Sequence, residues 1–141
     1  MKTIVLNGIT WDTENLASNR KTHFTYEESQ KEASKLGKRL PTKVEFEELL
    51  KLPHVFDGNK RGMWFAEKAD DLKTEKSLFL PAAGFLGISK ASLSDVGWYG
   101  DYWSDTYKGN SMVYSFMFSS SNVFTLNNHR NQGFSVRCVS K

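Results

Sequence analysis

The chain is 141 residues long, enough for one domain around one core, and its 19 basic and 16 acidic residues leave a formal net charge of +3. That excess is too small to argue for nucleic acid, whose binding needs a concentrated basic patch. The single cysteine, Cys138, excludes an internal disulfide. No apolar run is long enough to span a membrane or to act as a secretory signal, so the expectation is no membrane insertion and synthesis in the cytoplasm.

Residues 2–6 alternate weakly and read as an edge strand, Asn7-Gly8 as a tight hairpin turn, and Ile9-Thr10-Trp11 as the returning strand. Residues 12–22 are polar without a period and read as loop. Thr25 and Glu28 have capping-box spacing, which predicts a helix to about Leu36 with Tyr26, Ala33 and Leu36 on its inner face. Gly37 closes that helix in the left-handed region, and Pro41 forces Arg39-Leu40 to be extended. Thr42 and Glu45 form a second capping box, ahead of the apolar stripe Phe46, Leu49 and Leu50.

Pro53 stops this helix, and residues 54–62 read as loop. Met63-Trp64-Phe65-Ala66 is a short strand, residues 70–76 a charged connection, and Leu78-Phe79-Leu80 a strand ended by Pro81. Ala82-Ala83-Gly84 allows close backbone approach. Residues 87–97 are a small-residue loop, and residues 98–104 an aromatic strand broken at Gly100. Residues 111–118 alternate, with Met112, Tyr114, Phe116 and Phe118 opposed to Val113, Ser115 and Met117. A turn at 119–122, a return at 123–126, a polar loop at 127–132 and a last strand carrying Phe134, Val136 and Cys138 complete the chain.

Four motifs carry a family resemblance. Gly37-Lys38-Arg39-Leu40-Pro41-Thr42-Lys43-Val44-Glu45-Phe46-Glu47-Glu48-Leu49 resembles the signature of formylglycine-generating-enzyme-like domains. Leu78-Phe79-Leu80-Pro81-Ala82-Ala83-Gly84-Phe85, Gly97-Trp98-Tyr99-Gly100-Asp101-Tyr102-Trp103-Ser104 and Gly133-Phe134-Ser135-Val136-Arg137-Cys138-Val139 are similar to the Fibrobacter succinogenes major paralogous domain. The resemblance implies an α+β, C-type-lectin-like fold: one domain over residues 1–141, two capped helices on a twisted antiparallel sheet, termini close together. Trp64, Phe79, Trp98, Trp103, Phe116 and Val136 are the expected core. The group's frequency among gut Bacteroidetes and their phages implies a virion or cell-surface setting. A related family uses this same C-terminal part as a variable ligand-binding face.

Catalytic readings are poorly supported. Cys138 alternates with Phe134 and Val136 on an apolar face, with no second cysteine for a copper pair and no cation beside it on its own face to lower its pKa. His23, His54 and His129 lie in separate loops without ligand spacing. Asp95, Asp101, Asp105 and Asn110 could supply oxygen ligands to a structural calcium, but turn and strand-edge polarity explains them better. No other cofactor or metal is expected. The favoured site is the polar set Tyr107, Asn110, Asn122, Asn127, Asn128, His129, Arg130, Asn131 and Gln132, read as loops over a rigid sheet. The expected function is a non-enzymatic binding or assembly module for a glycan or protein ligand, presented as a homo-oligomer or virion part such as a head fibre. The alternatives are an oxidoreductase of the formylglycine-generating type and a structural domain of a larger complex.

Overall fold

A computed structural model describes residues 2–89 and 92–141. In chain order the elements are β1 (Thr3–Leu6), β2 (Ile9–Asp12), α1 (Tyr26–Lys35), β3 (Lys38–Arg39), α2 (Lys43–Leu50), β4 (His54–Asp57) and β5 (Gly62–Phe65). After a 3-10 turn at Ala69–Asp71 come β6 (Leu78–Pro81), β7 (Phe85–Leu86), β8 (Leu93–Ser94), β9 (Gly100–Gly109), β10 (Met112–Phe118), β11 (Val123–His129) and β12 (Val139–Ser140).

The local signals act as their chemistry requires. Asn7 and Gly8 take φ of 54° and 79°, both left-handed, and close the β1–β2 hairpin. Both capping boxes form. The Thr25 hydroxyl accepts from Glu28 N at 3.2 Å while Thr25 N donates to Glu28 Oε1 at 2.9 Å. Thr42 and Glu45 repeat the exchange at 3.0 and 2.9 Å. Glu45 also receives a fork from Arg39, at 2.7 and 2.8 Å, which ties β3 to the start of α2. That guanidinium holds the Glu45 carboxyl below its usual range.

The strands form small sheets rather than one. Their orders are β1-β2-β12-β3, β11-β10-β9, β4-β5-β6 and the pair β7-β8. The N-terminal hairpin and the C-terminal strand therefore share a sheet. The β9–β10–β11 sheet divides the interior. Phe116, Phe118 and Tyr102 project to one side, where Phe46 of α2 stacks on Phe116 with ring centroids 4.7 Å apart and Trp11, Phe65 and Leu80 join them. Trp103 and Val113 project to the other side, with Phe24, Phe134, Val136 and Cys138. Adjacent residues such as Tyr102 and Trp103 thus serve different cores, as strand alternation dictates.

The expected α+β class, with two helices laid on one twisted sheet in the C-type-lectin-like manner, does not hold. The chain is 43% strand and 15% helix, a sheet-rich fold of several small sheets with two helices. The helices have 10 and 8 residues, about 15 and 12 Å at 1.5 Å per residue. They are too short to cover the apolar sheet surface, so most burial is between strands and loops.

Other expectations also change. Residues 54–57 are a strand, not loop, paired in register with β5. Asp57 stops it by accepting Asn59 N, Lys60 N and Trp64 Nε1, each at 3.0 Å. The aromatic strand begins at Gly100 rather than Trp98 and continues to Gly109, because β10 supplies a partner along that length across two register shifts. Of the expected core, Trp103, Phe116 and Val136 are fully buried, Trp64 and Phe79 are half-buried, and Trp98 is 63% exposed against Arg61, 5.1 Å from its ring. Leu36 is exposed, and Ser29 occupies the inner face of α1 instead. Both flanks of the segment carrying Phe134, Val136 and Cys138 are buried, since Ser135 and Arg137 between them are also covered. Of the loop expected at 87–97, residues 93–94 form β8, and residues 90–91 lie outside the described residues.

Candidate functional site

The residues expected to form one polar rim fall at two ends of the β10–β11 hairpin. Met112 pairs with His129 at one end and Phe118 with Val123 at the other, a separation of about 20 Å at 3.3 Å per residue. Asn122 lies at the second end in an exposed turn, its N–H donating to Ser119 Oγ at 3.2 Å. Tyr107, Asn110, His129, Arg130, Asn131 and Gln132 lie at the first. Asn127, Asn128 and His129 are not loop residues at all: they belong to β11 and are half-buried. Asn128 Oδ1 accepts the Ser115 hydroxyl at 2.7 Å, which ties it across the hairpin.

The first end is knitted together. Arg130 O accepts Tyr26 N at 3.0 Å, and Arg130 N donates to Ser111 O at 2.8 Å. The Arg130 guanidinium lies 5.9 Å from the Tyr107 ring and 3.9 Å from Glu27. The Tyr107 hydroxyl accepts Ser111 N at 3.0 Å, Asn131 N donates to His129 Nδ1 at 3.1 Å, and Gln132 Oε1 accepts His129 N. Asn110 turns the chain at φ 53°. A hollow of about 530 Å³ near here is lined by Thr25, Glu27, Glu28, Lys31 and Asn131, with no apolar residue in it.

The second end is different in kind. A hollow of about 350 Å³ is lined by Phe85, Asp95, Tyr99, Met117, Asn122 and Phe124. Tyr99 and Phe124 are exposed at 38% and 39%, enough to meet a ligand with a ring face. The wall that carries Tyr99 is a turn in which Asp95, at φ 58°, accepts both Trp98 N and Tyr99 N through its carbonyl at 3.0 Å. Gly84 anchors it from behind: it has φ 68°, and a Cβ there would stand 2.2 Å from Ser94 O.

Beneath this hollow lies a buried acid. Phe124, Met117 and Asp101 are cross-strand partners and form one row on one face of the sheet. Asp101 is 1% exposed, and neither carboxylate oxygen has a hydrogen-bond partner among the described residues. The neighbouring Ser135 hydroxyl is also unpartnered, although Ser135 N donates to Asp101 O at 3.0 Å. Burial, and then the negative charge of Asp95, push the Asp101 carboxyl up to about 7. Below that pH it is a neutral donor, above it an anion.

The remaining candidates have structural roles. Cys138 is buried, and burial pushes its thiol up to about 11, so it is not a thiolate near neutral pH. His23 is not an exposed loop residue: it is 6% exposed, with Nε2 2.8 Å from Ala83 O and Nδ1 2.9 Å from Thr22 Oγ1. Burial lowers its pKa. His54 is exposed on β4, with Nδ1 2.8 Å from Leu52 O. Asp95 and Asp101 interact, but Asp105 and Asn110 lie further along β9 and in its turn, so the four do not converge. Among the described residues no three His, Cys, Asp or Glu side chains gather around a point that could hold a metal ion. No helix among them is long and apolar enough to cross a membrane.

Sequence reading missed Phe85, Tyr99, Met117 and Phe124, which no local motif unites. It did hold one signal: a single acid inside the aromatic run Gly100-Asp101-Tyr102-Trp103, where a buried carboxyl needs a reason.

The molecule is thus a sheet-rich domain with an aromatic and acidic hollow at one end of its central hairpin. Residues 59–139 match a family model described as a domain of unknown function (DUF8237), and the chain belongs to that family. The matched span runs from the β4–β5 turn to β12 and omits both helices and strands β1 to β4. Neither a curated protein nor a solved structure matches the chain.

Proposed function

We propose that the chain is a non-enzymatic binding module that seats a saccharide in the hollow between Phe85, Tyr99 and Phe124. The observation that carries this reading is the pairing of two half-exposed rings with an acid and an amide, Asp95 and Asn122, around one concave floor. Binding sites of this kind are mostly apolar, with a few polar groups fixing orientation. A pyranose offers C–H faces to the rings and hydroxyls to the carboxylate and amide.

Two facts favour binding over chemistry. Glycoside hydrolysis needs two carboxyl groups flanking the scissile bond, and Asp101 is buried with almost no surface to offer a substrate. Oxidation of the formylglycine-generating type needs reactive thiols, and burial keeps Cys138 protonated. The motif resemblance supports a setting on a virion or cell surface, where a rigid sheet would present this hollow outward.

A glycan array probed with the purified chain tests the reading, followed by calorimetry on each sugar retained. Tyr99→Ala and Phe124→Ala are expected to weaken binding at least about tenfold each, while Lys108→Ala on the exposed part of β9 should not. An array with no retained sugar, or retention unchanged by both ring deletions, overturns it.

A further inference from the structure

We propose that β11 is a self-association edge, across which two copies of the chain pair antiparallel about a two-fold axis at Thr125. The argument begins with the hydrogen-bond phase of the β10–β11 hairpin. Ser119 N bonds Asn122 O and Arg130 N bonds Ser111 O, both at 2.8 Å. With the register Val113↔Asn128, Ser115↔Leu126 and Met117↔Phe124, these ends fix which residues exchange bonds with β10. They are Phe124, Leu126 and Asn128. Val123, Thr125, Asn127 and His129 therefore direct N–H and C=O away from the sheet. His129 is satisfied by Gln132, through Gln132 Oε1 at 3.1 Å and Gln132 N at 3.0 Å. Val123, Thr125 and Asn127 have no outward backbone partner among the described residues.

The opposite edge of the same sheet is sealed. Trp103 N donates to Ser135 O, Ser135 N to Asp101 O, and Asp105 N to Pro41 O. The other edge strands are short: β1, β4 and β6 have four residues each, β3 has two and both are cationic, and β6 ends in proline. β11 has seven residues, Val-Phe-Thr-Leu-Asn-Asn-His, with no Lys, Arg, Asp, Glu or Pro. These are the residues that normally blunt an exposed edge against pairing.

The outward set also lets a second copy pair with it symmetrically, the one partner every solution of the chain contains. Val123, Thr125 and Asn127 are symmetric about Thr125. Antiparallel pairing there sets Thr125 against Thr125 and Val123 against Asn127 of the second copy, with two N–H···O bonds in each pair. Every outward group between Val123 and Asn127 is then satisfied. On the open face Phe124, 39% exposed, meets the half-buried Leu126 of the second copy. The strip carries no formal charge to repel its image. The three-stranded sheet becomes a continuous six-stranded one, closed by an isologous contact.

Sedimentation velocity of the full chain from about 1 μM to about 1 mM should find a monomer passing to a dimer, the range expected of a small interface. Hydrogen exchange should protect the Thr125 and Asn127 amides as the dimer fills, while the β10-facing Leu126 amide is protected throughout. Thr125→Pro removes only an outward N–H, so the β10–β11 ladder survives. It loses two symmetry-related bonds and should raise the dimer dissociation constant by about thirtyfold. Circular dichroism establishes that the variant is folded. If it is not, the exchange of Thr125 and Asn127 in the unsubstituted chain decides alone. A monomer at every concentration, a dimer that leaves these two amides unprotected, or one that a folded Thr125→Pro variant forms equally well overturns the proposal.

Discussion

Arg137 and Asp101 are each 1% exposed, yet the protein treats the two buried ionisable groups in opposite ways. The Arg137 guanidinium donates from Nε to Asn15 Oδ1 at 2.9 Å and from Nη1 to Asp12 O at 3.1 Å. Asn15 passes the network to the Tyr102 hydroxyl at 3.0 Å, which donates to Pro81 O at 2.7 Å. Lys38 closes the acid side on Asp12 at 2.7 and 2.9 Å. Asp101 has no such support among the described residues, and the Ser135 hydroxyl beside it is equally bare. Buried polar groups are nearly always paired, so the neighbouring orphans Asp101 and Ser135 single out one spot in the interior where stability is given up. The orphan acid lies under the proposed hollow without lining it, while the satisfied cation joins segments 125 residues apart in the chain.

The largest test of this contrast is Arg137→Leu. It strands the Asp12 carbonyl and the Asn15 amide oxygen without a donor and breaks a tie between the chain's two ends. With about 1–3 kcal/mol for each buried acceptor left unpaired, a loss of about 2–6 kcal/mol is expected in urea unfolding. A loss below about 1 kcal/mol would mean that the network contributes no more than a surface pair.

Asp101→Asn should act in the other direction. The folded state keeps the Asp101 proton to about pH 7, while the unfolded chain releases it near 3.9. Between those values the folded state binds more protons, so this group's contribution to stability falls as pH rises through the window and is flat above it. The wild type therefore carries a penalty of up to about 4 kcal/mol at pH 8 that is absent at pH 3. Asn cannot ionise, so the variant should match wild type at pH 3 and exceed it at pH 8 by up to that amount. Equal melting temperatures for the two chains at both pH values would show that Asp101 has a counter-charge.

Gly100→Ala, next to the same acid, should cost about 1–3 kcal/mol at any pH, because a Cβ there would stand 2.2 Å from the Phe118 ring. Its pH independence separates crowding from charge.

What could be read in the sequence is what short-range chemistry fixes. Both capping boxes, the Asn7-Gly8 hairpin and the extended Arg39 depend on residues within a few positions of each other. The class was lost because it depends on area. Two correctly expected helices say nothing about how little sheet they cover, and the expected single sheet divides into several. The length of β9 was hidden because Asp105 to Gly109 is polar and becomes strand only through pairing with β10. Trp98 looked like core, but the turn with left-handed Asp95 and Gly97 swings it outward onto Arg61. The polar rim failed as a unit for a similar reason. Sequence proximity joined Asn122 to Asn127 through Asn131, but a hairpin puts its turn at the far end from its open termini.

That separation of the two ends yields the smallest prediction. If the Arg130 end is scaffold trim rather than a ligand seat, its charges should matter little to either stability or binding. Glu27 is 86% exposed and 3.9 Å from Arg130, which is itself one-third exposed at its side chain. An ion pair so open to solvent contributes at most about 0.5 kcal/mol, and salt screens it further. Glu27→Ala should therefore leave the urea midpoint within that margin at low salt and move it not at all at high salt. It should also leave sugar retention unchanged, since the hollow at Tyr99 lies at the other end of the hairpin. Glu27→Ala abolishing retention would relocate the site to the Arg130 end and reverse the assignment of the two ends.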